Sequence, residues 1–292
     1  MKILDIMKRT LYLSVLIVIF SSFPCLADTS VWKISSQDTH IYLCGTSHLL
    51  RPSDFPLPRE FEQAYNDSAI LVFEADVARM QDPSVQHLLM SKVHLPGTTL
   101  ESVLPPDTYK MLEAHCRQIG LPIEGINRYK PSMAMMTIVL VEFQKMGFTM
   151  EGVDMHFYQK GRQGGKSFQF LETVEQQIEF VVGLGKGFEE EFVKHSLEDI
   201  HQVKSKLPRM INAWRIGDRD ALKELFITPI QEKFPHMYRQ LLTDRNTAWI
   251  PRIEQMITSG KKAMILVGVA HFIGKDGLLT QLEKRGYRVE KL

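Results

Sequence analysis

Two histidines occupy matching places near opposite ends of the chain. In residues 41–50, IYLCGTSHLL, an apolar run gives way to Gly45-Thr46-Ser47-His48, and in residues 264–274, MILVGVAHFIG, another gives way to Gly268-Val269-Ala270-His271. Two carboxylates are placed the same way: SAILVFEADV ends its apolar run in Glu74, and KSFQFLET ends its run in Glu172. Imidazole nitrogens and carboxylate oxygens suit a divalent transition metal such as zinc, manganese or cobalt. Such an ion polarises a carbonyl and acidifies a bound water, and a spare carboxylate can serve as general base. A glycine three residues before each histidine lets the backbone turn sharply and come close to a ligand. With 18 Gly and 10 His in 292 residues, chance supplies about 0.6 Gly-x-x-His strings. Placement at strand ends, rather than the string itself, singles these two out. Taken one at a time, such residues also serve as hydrogen-bonded strand-end histidines or as helix N-terminal charges.

The elements that must position these groups can be read from periodicity. Residues 32–35 and 40–44 are short β-prone runs around polar Ser36, Gln37 and Asp38, which predicts a hairpin. Residues 56–65 have helical spacing, and the run before Glu74 predicts a central strand. Helices are predicted at 105–120, stopped by Gly120-Leu121-Pro122, and at 131–147, with Pro in the first turn and Gly past the end. The second is apolar all round and predicts a buried central helix, its methionines at 133, 135 and 136 filling a core. In GVDMHFYQKGRQGGKSFQFLETVEQQIEFVVGL a helix precedes a strand at 167–171, and Thr173 is the N-cap of the next helix. Residues 188–217, 218–226 and 235–260 read as mostly helical. A strand at 263–267, a helix at 276–285 and a last strand in YRVEKL finish the chain. Strands alternating with helices make this an α/β protein. In open α/β sheets, ligands bind outside the carboxyl ends of the strands, where His48, Glu74, Glu172 and His271 would converge.

Other chemically active residues point elsewhere. GRQGGK lacks Walker spacing and precedes a strand, which argues against a phosphate loop. His156 is read as a satisfied helical histidine, and His195 and His201 as solvated surface.

Lys2, Lys8 and Arg9 followed by the apolar residues 11–20 and by Cys25-Leu26-Ala27 predict a signal peptide over residues 1–27, too short to span a bilayer. Pro24 before Cys25 disfavours a lipoprotein site. Losing those three basic residues and Asp5 turns the formal net charge of +1 into about −1. Nothing in that balance calls for nucleic acid or an acidic lipid surface. Cys44 and Cys116 remain, too few for a disulfide framework, their pairing open. Residues 28–292 carry no Pro-, Gly- or Ser-rich linker, so a single domain is expected.

IYLCGTSHLL, AILVFEADV, GVDMHFYQKGRQGGKSFQFLET, LLTDRNTAWIPRI and AMILVGVAHFIGKDGLLTQLEKRGYRV follow one another as in the TraB/PrgY/GumN family, which the chain resembles over residues 31–292. It looks most like the bacterial GumN-type secreted members. The family includes the Tiki metal-dependent proteases. The resemblance implies a central mixed β-sheet wrapped by helices, similar to the erythromycin esterase and ChaN-like folds. It also implies that His48, His271 and Glu74 hold a divalent transition metal (Mn, Co or Zn). Glu172, Arg245 and Asn246 match further motif positions and are candidate catalytic residues. Arg245 is suited to hold a substrate carboxylate or oxyanion, and Asn246 to donate to it. A DRN sequence at a helix start equally fits capping and a surface ion pair.

The function expected is that of an exported, periplasmic or secreted metal-dependent hydrolase. It would act as a peptidase on a peptide or protein substrate, with no nucleic-acid partner and no membrane span after leader cleavage. Which glutamate is ligand and which is base stays open. Two alternatives stand beside it: a non-catalytic protein that sequesters peptides or pheromones, and a haem or iron-ligand binder using accessible His or Tyr.

Overall fold

The β-prone runs assemble into one sheet in a computed structural model that describes residues 29–292; the expected signal peptide lies outside the described residues. Strands β1 (Val31–Ser36) and β2 (Thr39–Thr46) form the predicted antiparallel hairpin, with Val31 opposite Cys44. With β3 (Ile70–Phe73), β4 (Ser167–Phe170), β5 (Ala263–Gly268) and β6 (Arg288–Lys291) they make a six-stranded sheet, order β4-β3-β5-β2-β1-β6. The first four strands in that order are parallel, while β1 is antiparallel to both its neighbours. The sheet is therefore mixed, and the fold α/β as expected. β3 is buried along its whole length and β5 up to Gly268, which is why both read as unbroken apolar runs. At the edge, β4 alternates, exposing Ser167 and Gln169 while Phe168 and Phe170 pack on the core.

The principal helices are α1 (Arg59–Asp67), α2 (Pro83–Val93), α3 (Pro106–Gln118), α4 (Pro131–Lys145) and α5 (Val153–Gln163). They continue with α6 (Val174–Val182), α7 (Glu189–Ile216), α8 (Asp244–Thr258) and α9 (Leu278–Lys284). Helix α5 packs against β3 and β5, and α8 against β1 and β2. Helices α3 and α4 lean on α7 instead. They share a second apolar cluster that includes Leu112, Cys116, Met135, Ile138 and Val193. The first described residues are also anchored: Thr29 and Ser30 are buried, Gly45 N donates to Ser30 O at 2.7 Å, and Ser30 Oγ donates to Trp214 O.

Two expectations need correction. Helix α4 is not enclosed all round: Met135 is buried and Met133 partly so, but Met136 is 37 % exposed, because α7 and α6 cover only part of its circumference. The region read as plain helix after residue 218 contains two five-residue π-helical turns, Lys223–Ile227 and Arg239–Thr243. Between β3 and α3 the chain also holds α2 and a short helix, Leu100–Val103. Cys44 lies in the sheet core and Cys116 in the helical cluster, both as buried free thiols, so they are not bridged to each other. Among the described residues no helix is long and apolar enough to cross a membrane.

Candidate active site

Strand order places the chemistry. Each of the four neighbouring parallel strands β4, β3, β5 and β2 ends at the same edge, and just beyond their ends come Glu172, Glu74, His271 and His48 in that spatial order. Glu74 follows β3 directly and turns its Oε1 onto the backbone N–H of Gly268, 2.8 Å away at the end of β5. These groups converge at Gly268, where a Cβ would sit at ordinary contact distance from all three: 3.5 Å from Glu74 Oε1, 3.7 Å from His271 Cδ2 and 4.0 Å from His48 Nε2. Three functional side chains thus surround one point above a glycine.

His48 lies two residues beyond β2 and is fixed by the start of α5. Val153 N–H donates to Ser47 O at 3.0 Å, and a Cβ on the preceding Gly152 would overlap Ser47 O and the His48 carbonyl. That close approach brings Asp154 Oδ1 to 3.0 Å from His48 Nδ1. A carboxylate oxygen only accepts, so Nδ1 carries the proton and Nε2 is left toward Gly268. The His48 side chain is 61 % exposed, and the Asp154 charge raises its pKa to about 9, so Nε2 also holds a proton near pH 7. Asp154 was missed in the sequence, where an acid in the first turn of a helix reads as complementing the helix dipole.

His271 is buried, and its tautomer follows from Asn246. Both amide protons of Asn246 go to backbone carbonyls, His271 O at 3.0 Å and Asp276 O at 2.9 Å. Its Oδ1 therefore accepts from His271 Nδ1, 2.7 Å away, leaving Nε2 unprotonated. Burial pushes the His271 pKa down to about 3, so the ring is neutral near pH 7. The expected donation from Asn246 to a substrate is replaced by a positioning role, because the 1 % exposed amide has no proton to spare.

Arg245 occupies the middle. Its Nη2 donates to Glu74 Oε2 at 2.6 Å and to Glu172 Oε1, its Nε to Glu172 Oε2 at 3.1 Å, and its Nη1 to His271 Nε2 at 3.1 Å. The guanidinium also stacks 4.7 Å from the Trp249 ring and 5.4 Å from Phe180. Neither a helix cap nor a surface ion pair describes it, and the bidentate partner expected from substrate is here Glu172. Gln177, another residue sequence reading missed, bridges the acids through Nε2, at 3.2 Å from Glu74 and 2.9 Å from Glu172. It is presented by α6, whose N-cap is Thr173 as predicted, closed by a reciprocal bond with Gln176. Burial would raise the Glu74 pKa, but His271, Arg245, His48 and the Gly268 N–H outweigh it and hold the carboxyl at about 2.

As a donor set the site fits a divalent transition metal: two imidazoles whose Nδ1 atoms are held by acceptors, and an ionised carboxylate. The spacing does not close round an ion as it stands, for among the described residues no three His, Cys, Asp or Glu side chains are placed to hold one. Arg245 lies on His271 Nε2 and on Glu74. His156, on α5, lies outside this group: its ring packs 5.4 Å from Phe55 and its Nε2 is 4.0 Å from Glu62. His195 is paired with Glu198 at 2.9 Å, and His201 is exposed.

Among characterised proteins, the chain is similar to Metalloprotease TIKI1 of Homo sapiens, 24 % identical over 322 residues covering 89 % of this chain and 61 % of that protein. It is also similar to Metalloprotease TIKI1 of Danio rerio, 22 % identical over 315 residues, covering 89 % and 62 % respectively. This chain thus spans about three fifths of the length of these relatives. No solved structure matches it. Residues 30–291 match the TraB/PrgY/gumN family, a span that holds every side chain of the site just described, and the chain belongs to that family.

Proposed function

We propose that the chain is an exported metal-dependent hydrolase that cuts peptide bonds. The observation behind this reading is the meeting of His48 Nε2, Glu74 Oε1 and His271 around Gly268, each imidazole with its Nδ1 already committed. The metalloprotease relatives support it. His48, His271 and Glu74 are the residues that would hold Mn, Co or Zn, which when bound polarises the scissile carbonyl and acidifies water. Asp154 and Asn246 fix the two rings with Nε2 turned to the site, and His48 must give up its Nε2 proton to act as a ligand. Arg245 must release His271 Nε2 for that nitrogen to act as a ligand, and its bonds to Glu172 let it stay at the site, near charge developing on a substrate oxygen. With Glu74 as ligand, Glu172 is the proton acceptor, coupled to Glu74 through Arg245 and Gln177. Export rests on residues 1–27.

One observation favours a second reading, a peptide-sequestering protein without chemistry: Arg245 already satisfies Glu74, Glu172 and His271. The two are separated by elemental analysis of the untagged chain, wild type beside His48→Ala and His271→Ala, followed by a peptide-library cleavage screen. Near one equivalent of a transition metal, lost in both variants, with cleavage lost alongside, supports the hydrolase. Absence of metal that added Zn, Mn or Co does not restore, with peptide affinity unchanged in the variants, supports sequestration.

A further inference from the structure

A cavity of about 370 Å³ opens from the candidate site, small among ligand pockets. His48, Glu74, Arg245, Gly268 and His271 form one side of it. The other walls are apolar, with Phe143 from α4, Ile211 and Trp214 from α7, and Phe226, Leu241 and Leu242 from the segment between α7 and α8. Among the described residues, no charged side chain lines the cavity apart from the site residues themselves. Phe143, Ile211, Phe226 and Leu241 are only partly covered by the rest of the protein, so their apolar faces border the open space.

Backbone geometry ties these walls to the chemistry. Phe226 lies on the first π-helical turn, Lys223–Ile227, and Leu241 and Leu242 on the second, Arg239–Thr243. A π turn inserts a residue into the helical repeat and so changes the direction of the side chains that follow, a device that recurs at functional sites. Arg245 comes two residues after the second turn, and its Nη1 also reaches Leu241 O at 3.4 Å. The turn that points Leu241 and Leu242 into the cavity therefore also sets the guanidinium between Glu74 and Glu172.

We infer that this cavity is a specificity pocket that accepts one large apolar side chain of a peptide substrate, next to the bond that is cut. The inference rests on the peptidase reading for the cut itself, but not for the binding. An apolar side chain entering the cavity leaves water for walls that match it, and each methylene that fits is worth roughly 10- to 200-fold in discrimination. A charged side chain would lose its hydration and find no partner on those walls. The volume suits one large side chain beside the site residues rather than a folded segment, so the substrate enters as an extended chain with one anchoring residue.

The test uses the untagged chain, supplied with Zn, Mn or Co, and one parent peptide in which a single position carries Phe, Leu, Asp or Lys in turn. Two quantities are measured: kcat/KM for cleavage, and equilibrium affinity by calorimetry. At least a tenfold preference for Phe and Leu over Asp and Lys in both quantities, abolished or turned toward Lys in the partly exposed variant Leu241→Glu, supports the pocket. Phe226→Ala should shift the preference toward bulkier residues. Apolar-selective binding without cleavage upholds the pocket and sinks the peptidase reading. Cleavage with equal rates for all four residues overturns the pocket and leaves the peptidase reading intact. Binding neither selective nor accompanied by cleavage overturns both. If Leu241→Glu fails to fold by circular dichroism, Phe226→Ala and the wild-type preference still decide.

Discussion

At the scale of single residues, the site is a pair of rings oriented by their neighbours. His48 and His271 carry their protons on Nδ1 because Asp154 and Asn246 offer only acceptors there. Partners of this kind typically govern metal affinity or activity by about 10- to 100-fold. Asp154→Asn, which lets the amide turn an N–H toward Nδ1, should therefore weaken metal binding by about that factor in a competition titration while leaving the thermal midpoint nearly unchanged. An unaltered affinity would remove Asp154 from the site. Asn246→Ala acts on stability too, since it strands the His271 carbonyl and Nδ1–H in the interior. A loss of about 1–3 kcal/mol in urea unfolding is expected, together with lower metal affinity. A loss of stability alone would make Asn246 purely structural.

At the scale of elements, the contact between β2 and α5 carries the exposed half of the site. Gly152 has backbone on its Cβ side, so Gly152→Ala must push the start of α5 away from the Ser47-His48 loop. Overpacking of this kind costs about 1–3 kcal/mol, and the displacement should also separate Asp154 from His48, seen as a fall in the His48 pKa by nuclear magnetic resonance. A stable variant with an unshifted His48 would contradict the close packing. This contact also marks what could be read in the sequence. The strands before His48, Glu74, Glu172 and His271 were legible because buried β-branched runs leave a continuous signature, and so was the Thr173 cap. Asp154 was not, because its partner is 106 positions away and its own neighbourhood looks like an ordinary helix start. Gln177 was hidden for the same reason, as an unremarkable amide on an amphipathic helix. The π turns escaped because apolar spacing reports which residues are buried and not how many residues a turn contains.

At the scale of the whole molecule, two cores respond differently to conditions. In the helical cluster, burial pushes His115 below its ordinary pKa; Glu142, 3.3 Å away, opposes this, while His201, Lys204 and Lys145 add to it. The folded protein therefore keeps this ring neutral while the unfolded chain takes up a proton as pH falls below about 6.5. Stability should be full above that pH and decline below it. Urea unfolding at pH 7.5 and 5.5 should show a smaller decline for His115→Leu than for wild type, and equal declines would discount this residue. The sheet core has a different property, rooted in its strand order. β5 lies between β3 and β2, so the hairpin that leads to His48 and the β3–β4 pair that leads to Glu74 and Glu172 have no common sheet until residues 263–268 insert between them. Until those residues have been made, the two parts of the sheet have no strand between them, and the site lacks Gly268 and His271. A chain with the proposed activity would be chemically silent until residues 263–271 had been made and folded into place.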